Sequence, residues 1–222
     1  MISFFVQIAL FVFPWPLRRK ALNLLFKYDI HETARIGWSI VISREVILGA
    51  GSRIGSLTLV KNLSELRLGP NAILGNMNWV SATVEGHPVS FAADLHRRPA
   101  LILHRESAVT HRHLIDCNDT VEIGEYSTIA GWGSQILTHS IDLVENRQKA
   151  APVSVGSYCF VGTRSVLLQG SVLPARSVLA AGAVLVTKEA AEGALYTGVP
   201  AKFVKILSKD LAYFSRSEGV VQ

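Results

Sequence analysis

The sequence predicts a mainly β fold, a triangular coil of stacked short parallel strands, on three observations. In residues 155–185 an aliphatic side chain returns at every sixth position, at Val155, Val161, Leu167, Leu173, Leu179 and Leu185. Four residues after each of the first five stands a small one: Cys159, Ser165, Ser171, Ser177 and Ala183. Glycine often follows the aliphatic position, as in Ile36-Gly37, Ile54-Gly55, Ile123-Gly124, Val155-Gly156 and Val161-Gly162. A period of six fits neither an amphipathic helix, at about 3.6 residues per turn, nor a strand that changes face at every residue. If each hexad is one short strand plus a corner, three hexads close a triangle, and each strand pairs in parallel with the strand above. The aliphatic residue then points inward, and the small residue sits where a turn would crowd a larger one.

Residues 1–29, "MISFFVQIALFVFPWPLRRKALNLLFKYD", form an apolar and basic segment predicted to be helical. Its apolar run is too short to cross a bilayer, which needs roughly 20 residues. Its positive charges follow that run, the reverse of a cleaved signal peptide. Two expectations stay open: a helix in the cytoplasmic membrane interface, with Trp15 and the basic trio Arg18, Arg19 and Lys20 at headgroup level, or a helix packed on a neighbouring subunit. The coil is expected over 30–201. Ile36, Ile42, Leu48, Ile54, Val60 and Leu66 keep its clock, Leu68 and Leu74 restart it out of phase, and Leu103, Val109, Ile115 and Val121 resume it before Ile123 and Ile129 shift it by two. Two stretches break the rhythm, near 80–100 and at 139–152, and loops that leave a rigid stack are where binding chemistry tends to sit. Over 202–222, Phe203, Val204, Ile206, Leu207 and Leu211 recur at helix-like spacing, predicting a C-terminal helix and tail.

At 222 residues and 49% hydrophobic content the chain can bury a sizeable core, which excludes a disordered protein. Its two cysteines, Cys117 and Cys159, are few for a secreted scaffold and are read as reduced thiols, favouring the cytoplasm. A net charge of +5 suits nucleic acid, an anionic membrane face or a phosphorylated cofactor. No basic run is interleaved with aromatics as a base-stacking surface requires, so nucleic acid is not an expected partner.

The ending "VGSYCFVGTRSVLLQGSVLPARSVLAAGAVLVTKEAAEGALYTGVPAKFVK", with "AGAVLVTKE" and the closing "GVPAK", resembles the hexapeptide-repeat acyltransferases, in particular the sugar and polysaccharide O-acetyltransferase branch. The resemblance covers roughly residues 30–206. It implies a left-handed parallel β-helix, assembly as a homotrimer with sites between subunits, acetyl-CoA as donor, and a sugar or polysaccharide precursor of the bacterial envelope as acceptor. The hand is not readable from the period, and general handedness statistics point the other way.

His139, where a repeat run meets the second loop, matches the family's general-base histidine. A base with a pKa near 6.5 is largely free to take a hydroxyl proton at neutral pH. Asp142, three residues on, is the candidate to orient the imidazole. Asp116, Asn118 and Asp119, one repeat run earlier, are candidates to bind acceptor hydroxyls or to cap a corner; Asn118 is an amide where related enzymes hold a carboxylate. On the donor side, Phe160, Thr163, Ala181, Gly182, Thr187, Lys188 and Lys202 match positions that line the coenzyme A groove. Neither cysteine stands where a nucleophile is needed, so direct transfer is expected, and no metal. Two alternatives stay open: a zinc enzyme like the γ-class carbonic anhydrases, for which His111, His113 and His139 are the available imidazoles although their spacing departs from that class, and a non-catalytic scaffold.

Overall fold

In the computed structural model, which describes residues 2–87, 89–91, 96–186 and 191–219, each hexad is a short strand followed by a corner. The corner explains the small residue. The residue before it takes a left-handed backbone, at Tyr158 (φ 58°), Arg164 (55°), Gly170 (72°), Arg176 (54°) and Gly182 (70°). The small residue then turns into the prism with no room to spare: Cys159, Ser165, Ser171 and Ser177 are 0% exposed and Ala183 1%. Ser165 Oγ bonds the carbonyl of Gly162 (2.8 Å) in its own coil and that of Ala180 (3.1 Å) in the next. The aliphatic residues form continuous inward rows, and Val161, Leu167, Leu173, Leu179 and Leu185 are 0% exposed. Each such side chain contributes about 1.5–3 kcal/mol relative to exposure.

The coils stack into a three-faced prism. Face A carries Ala100–Leu103, Val121–Ile123, Val153–Val155 and Val172–Leu173. Face B carries Arg53–Ile54, Ile73–Leu74, Ala108–His111, Thr128–Trp132, Phe160–Val161 and Val178–Leu179. Face C carries Trp79–Ser81, Leu114–Asp116, Gln135–Leu137, Val166–Leu167 and Val184–Leu185. All these pairings are parallel. The long strand Leu59–Leu68 bends round a corner, pairing with Trp79–Ser81 on face C and with Ala100–Leu103 on face A. Both breaks in the clock leave the prism at the corner between faces C and A. The second is an antiparallel hairpin of His139–Asp142 with Arg147–Ala150.

A stack of coils ends in carbonyls with no strand to receive them, and the N-terminal segment receives them here. Helices α1 (Ile2–Ala9) and α2 (Trp15–Phe26), separated by a short 3-10 turn, lie across the first coil. Gln7 bonds both the N–H and the carbonyl of Val41, and Trp15 donates to the Ala34 carbonyl (2.9 Å). Arg18, 4% exposed, donates to the carbonyls of Ile36, Gly37 and Ser39, and Arg19 to that of Ile30. Burial lowers the Arg18 pKa to about 10. Trp15, Arg18 and Arg19 are therefore turned into the chain's own prism, which corrects the expectation that they lie at headgroup level. Arg18→Ala should cost on the order of 3 kcal/mol, since it strands several enclosed acceptors at once; a lower urea midpoint measures it, and an unchanged midpoint would refute the capping role.

The far end also departs from expectation. In place of the helix that the spacing predicts, Lys202–Ile206 is a strand paired antiparallel with Ala194–Thr197, and the helical piece beyond it is the 3-10 turn Ala212–Phe214. All five side chains of Lys202–Ile206 are exposed, so no apolar stripe is buried to hold a helix. Cys117 and Cys159 are buried free thiols, and burial raises both, Cys159 to about 12, which disfavours the thiolate.

Candidate active site

One corner gathers the polar residues of the two broken repeats. Parallel pairing sets Asp116 beside Leu137, so the next coil places Thr138 and His139 directly over the Asp116 carboxylate. His139 Nδ1 lies against Asp116 Oδ2 in a short contact, while its side chain remains 38% exposed. With Nδ1–H donating to that carboxylate, Nε2 is left as the acceptor. The bond to Asp116 raises the His139 pKa above the ordinary value, against a smaller opposing effect of burial.

Asp116 is itself held from several sides. Its Oδ1 accepts from the Asn118 side-chain amide (2.5 Å) and backbone N–H (3.2 Å), and its Oδ2 from the Thr138 backbone N–H (3.2 Å). Asn118 Oδ1 accepts from the N–H of Thr83 (2.8 Å), tying this corner to the first loop. Arg97 continues the tie by donating to the carbonyls of Thr83, Val84 and Asn118. The Arg97 guanidinium stacks over Phe91 (4.5 Å), whose ring meets the His139 imidazole edge-on at 5.9 Å. Phe91, backed by Arg97, thus walls one side of the imidazole.

These placements revise two assignments, those of Asp142 and of the Asp116–Asn118 pair. Asp142 is not the partner of His139: its carboxylate pairs with Lys149 and accepts from the N–H groups of Val144 (2.9 Å) and Glu145 (3.1 Å), shaping the hairpin tip. Lys149 holds Asp142 down to about 2. Asp116 and Asn118, 7% and 6% exposed, face His139 and not solvent, so they hold the imidazole and do not present an acceptor surface. Asp119 caps its corner, accepting from the backbone N–H groups of Arg98 (3.2 Å) and Thr120 (2.7 Å). Sequence reasoning missed Phe91 and Arg97, whose roles exist only once the loop has folded back.

The residues matched to the donor groove lie elsewhere. Thr163, Ala181 and Gly182 stack on the corner between faces B and C, where Thr163 Oγ1 bonds both the N–H and the carbonyl of Trp132 (3.0 and 2.8 Å) and Gly182 N–H donates to the Thr163 carbonyl (2.9 Å). A Cβ on Gly182 would meet nothing within 4 Å, so this corner is a shallow open shelf. Trp132, 55% exposed, stands beside it, and Phe160, on face B, packs edge-on against Tyr213 (5.9 Å). Lys202 is exposed on the terminal hairpin. Thr187 and Lys188 lie outside the described residues. Within one chain, face C separates this shelf from His139.

The three histidines of the zinc alternative are not brought together. His113, 2% exposed, accepts at Nδ1 from the Ser134 N–H (3.1 Å) and bonds Thr110 Oγ1 (3.0 Å) through Nε2, and burial lowers its pKa to about 4. His111 Nδ1 accepts from the Asn76 N–H (2.9 Å). Both stand on the corner between faces B and C, across face C from His139.

The stacked coils and the solved structures that share them make this a left-handed parallel β-helix. The solved structures that share the fold include two acyltransferases by name. The polysialic acid O-acetyltransferase OatWY aligns over 86% of this chain and 90% of its own at 16% identity, with a TM-score of 0.54. AntD, an N-acyltransferase from Bacillus cereus solved as a point mutant with dTDP-4-amino-4,6-dideoxyglucose and coenzyme A, aligns over 89% of this chain and 93% of its own at 12% identity, with a TM-score of 0.53. Neither a protein-family model nor a curated protein sequence matches this chain.

Proposed function

We propose that the protein is an acetyl-CoA-dependent O-acetyltransferase acting on a sugar hydroxyl, with His139 as general base. The observation that carries this reading is the Asp116–His139 pair at the loop-bearing corner, held through Nδ1 with the imidazole side chain 38% exposed. Acetyl-CoA supplies the acyl thioester. His139 Nε2 takes the proton of the attacking hydroxyl, and the resulting imidazolium is held by the carboxylate below it until the proton returns to the departing sulfur. Asp116 fixes the tautomer that makes Nε2 the acceptor, and Asn118 and Thr138 fix Asp116.

The shelf at Thr163, Ala181 and Gly182 fits the pantetheine arm, because small residues and backbone there allow close approach. A homotrimer would unite the two halves of the site. Face C carries exposed apolar side chains, Trp79 at 48% and Leu114 at 43%. Turned toward a threefold axis, it would set the His139 corner of one copy against the shelf of the next. Lower on the His139 corner a cleft of about 350 Å³ opens beside Arg44, Asn62, Leu63 and Glu85, room for an acceptor longer than one sugar. The fold shared with OatWY and AntD supports the same reading, since both are acyltransferases by name and AntD was solved with a nucleotide-linked amino sugar.

Calorimetric titration with acetyl-CoA, followed by coenzyme A release across a panel of sugars and oligosaccharides, tests the proposal. Micromolar binding and acceptor-dependent thiol release are expected. No binding of acetyl-CoA would overturn the enzyme reading in favour of a scaffold.

A further inference from the structure

The N-terminal cap has two faces, and only the inner one is used by the prism. Gln7, Leu10, Arg18 and Leu22 are buried against the first coil. The outer face presents Phe5 (65% exposed), Val12 (81%), Phe13 (50%), Leu17 (55%), Leu24 (80%) and Leu25 (59%). Leu17 and Leu24 are seven apart, two turns of α2 on one side, with Lys20 between them and Lys27 one turn further on. Solitary exposed apolar residues are ordinary, but a contiguous apolar end rimmed by one sign of charge marks a contact surface.

We propose that this blunt end of the prism docks on an anionic membrane surface, lying on it without crossing it. Among the described residues no helix is long and apolar enough to span a bilayer. Charge chooses the occupant. Residues 1–29 contain a single acidic side chain, Asp29 at the very end, against four basic ones, Arg18, Arg19, Lys20 and Lys27. Arg18 and Arg19 are spent on the carbonyls of the first coil, which leaves Lys20 and Lys27, both exposed, to meet lipid phosphates. A second copy of the chain is the poorer fit, because an end-to-end contact would gather two sets of Lys20 and Lys27 into one interface. The apolar side chains would enter the headgroup and acyl boundary while the lysines stay at phosphate level. This inference does not rest on the acetyl-transfer reading.

Deleting the segment would uncover the first coil, so the test uses point variants of the full chain. Co-sedimentation is measured with vesicles of phosphatidylcholine alone and of phosphatidylcholine with about one third phosphatidylglycerol. The wild type is expected to bind the anionic vesicles, more weakly as salt rises, and the neutral ones less. Phe13→Glu combined with Leu24→Glu should lower the partition constant at least about tenfold, and Lys20→Glu with Lys27→Glu should abolish the preference for anionic lipid, with melting temperature and acetyl-CoA binding unchanged in both. Wild-type protein that stays in the supernatant, or variants that bind as well as wild type, would overturn the proposal. So would a fall in oligomeric mass of Phe13→Glu/Leu24→Glu without lipid, which would assign the face to a second copy.

Discussion

Replacing His139 by alanine is expected to lower acetyl transfer about 10²- to 10⁴-fold, the range for losing a general base, while acetyl-CoA binding and the melting temperature stay near wild type. The side chain is 38% exposed and bonds outward from the coil to Asp116, so removing it opens no cavity in the aliphatic rows. The pH profile adds a second readout. Only the neutral imidazole accepts a proton, and the bond to Asp116 raises its pKa above 6.5. The wild-type rate should therefore fall as the pH drops through that raised value, and the residual rate of the alanine variant should lack this limb. A variant that turns over within a few-fold of wild type would remove His139 from the mechanism.

How much of this was legible follows from which interactions are local. The inward rows were readable because a coil repeats its geometry every six residues, and Val161, Leu167 and Leu173 recur with it. The corner conformation was only half readable: glycine announces a positive φ at Gly182, but Tyr158, Arg164 and Arg176 adopt one too, and no letter marks it. At one of these corners stacking helps, since Tyr158 lies on Tyr126, itself at a positive-φ corner of the coil below, at 4.8 Å. The role of α2 was hidden because Arg18 answers carbonyls that become orphans only when the stack ends. The partner of His139 was missed because proximity in sequence favoured Asp142. Proximity in space is set by register: with Ile115 paired to Ile136, the residue after each inward position stacks on its counterpart, bringing Asp116 beneath Leu137 and next to His139. Aligning the inward residues coil against coil would have found it.

Register also makes Asp116→Asn the sharpest test of the proposed mechanism, with a loss of kcat expected of up to about 10⁴-fold, the cost of the wrong tautomer in a carboxylate–histidine pair. The amide keeps the shape of the carboxylate but carries N–H donors, and one of its two ends must face Nδ1. If the Nδ2 end faces it, Nδ1 becomes the acceptor, the proton moves to Nε2, and the nitrogen that should receive the acceptor's proton already holds one. If the oxygen faces Nδ1 the tautomer survives, but the imidazolium formed during the reaction loses its counter-charge. Either arrangement lowers kcat, and KM for acetyl-CoA should hold because the shelf residues Thr163 and Gly182 make their hydrogen bonds to Trp132 and to each other, not to Asp116. Because Asp116 raises the imidazole pKa, its loss should also shift the acidic limb of the rate profile to lower pH. A merely structural role predicts something different: a lower melting temperature with an unmoved limb. That outcome would leave His139 without its positioning carboxylate and the corner as a packing motif.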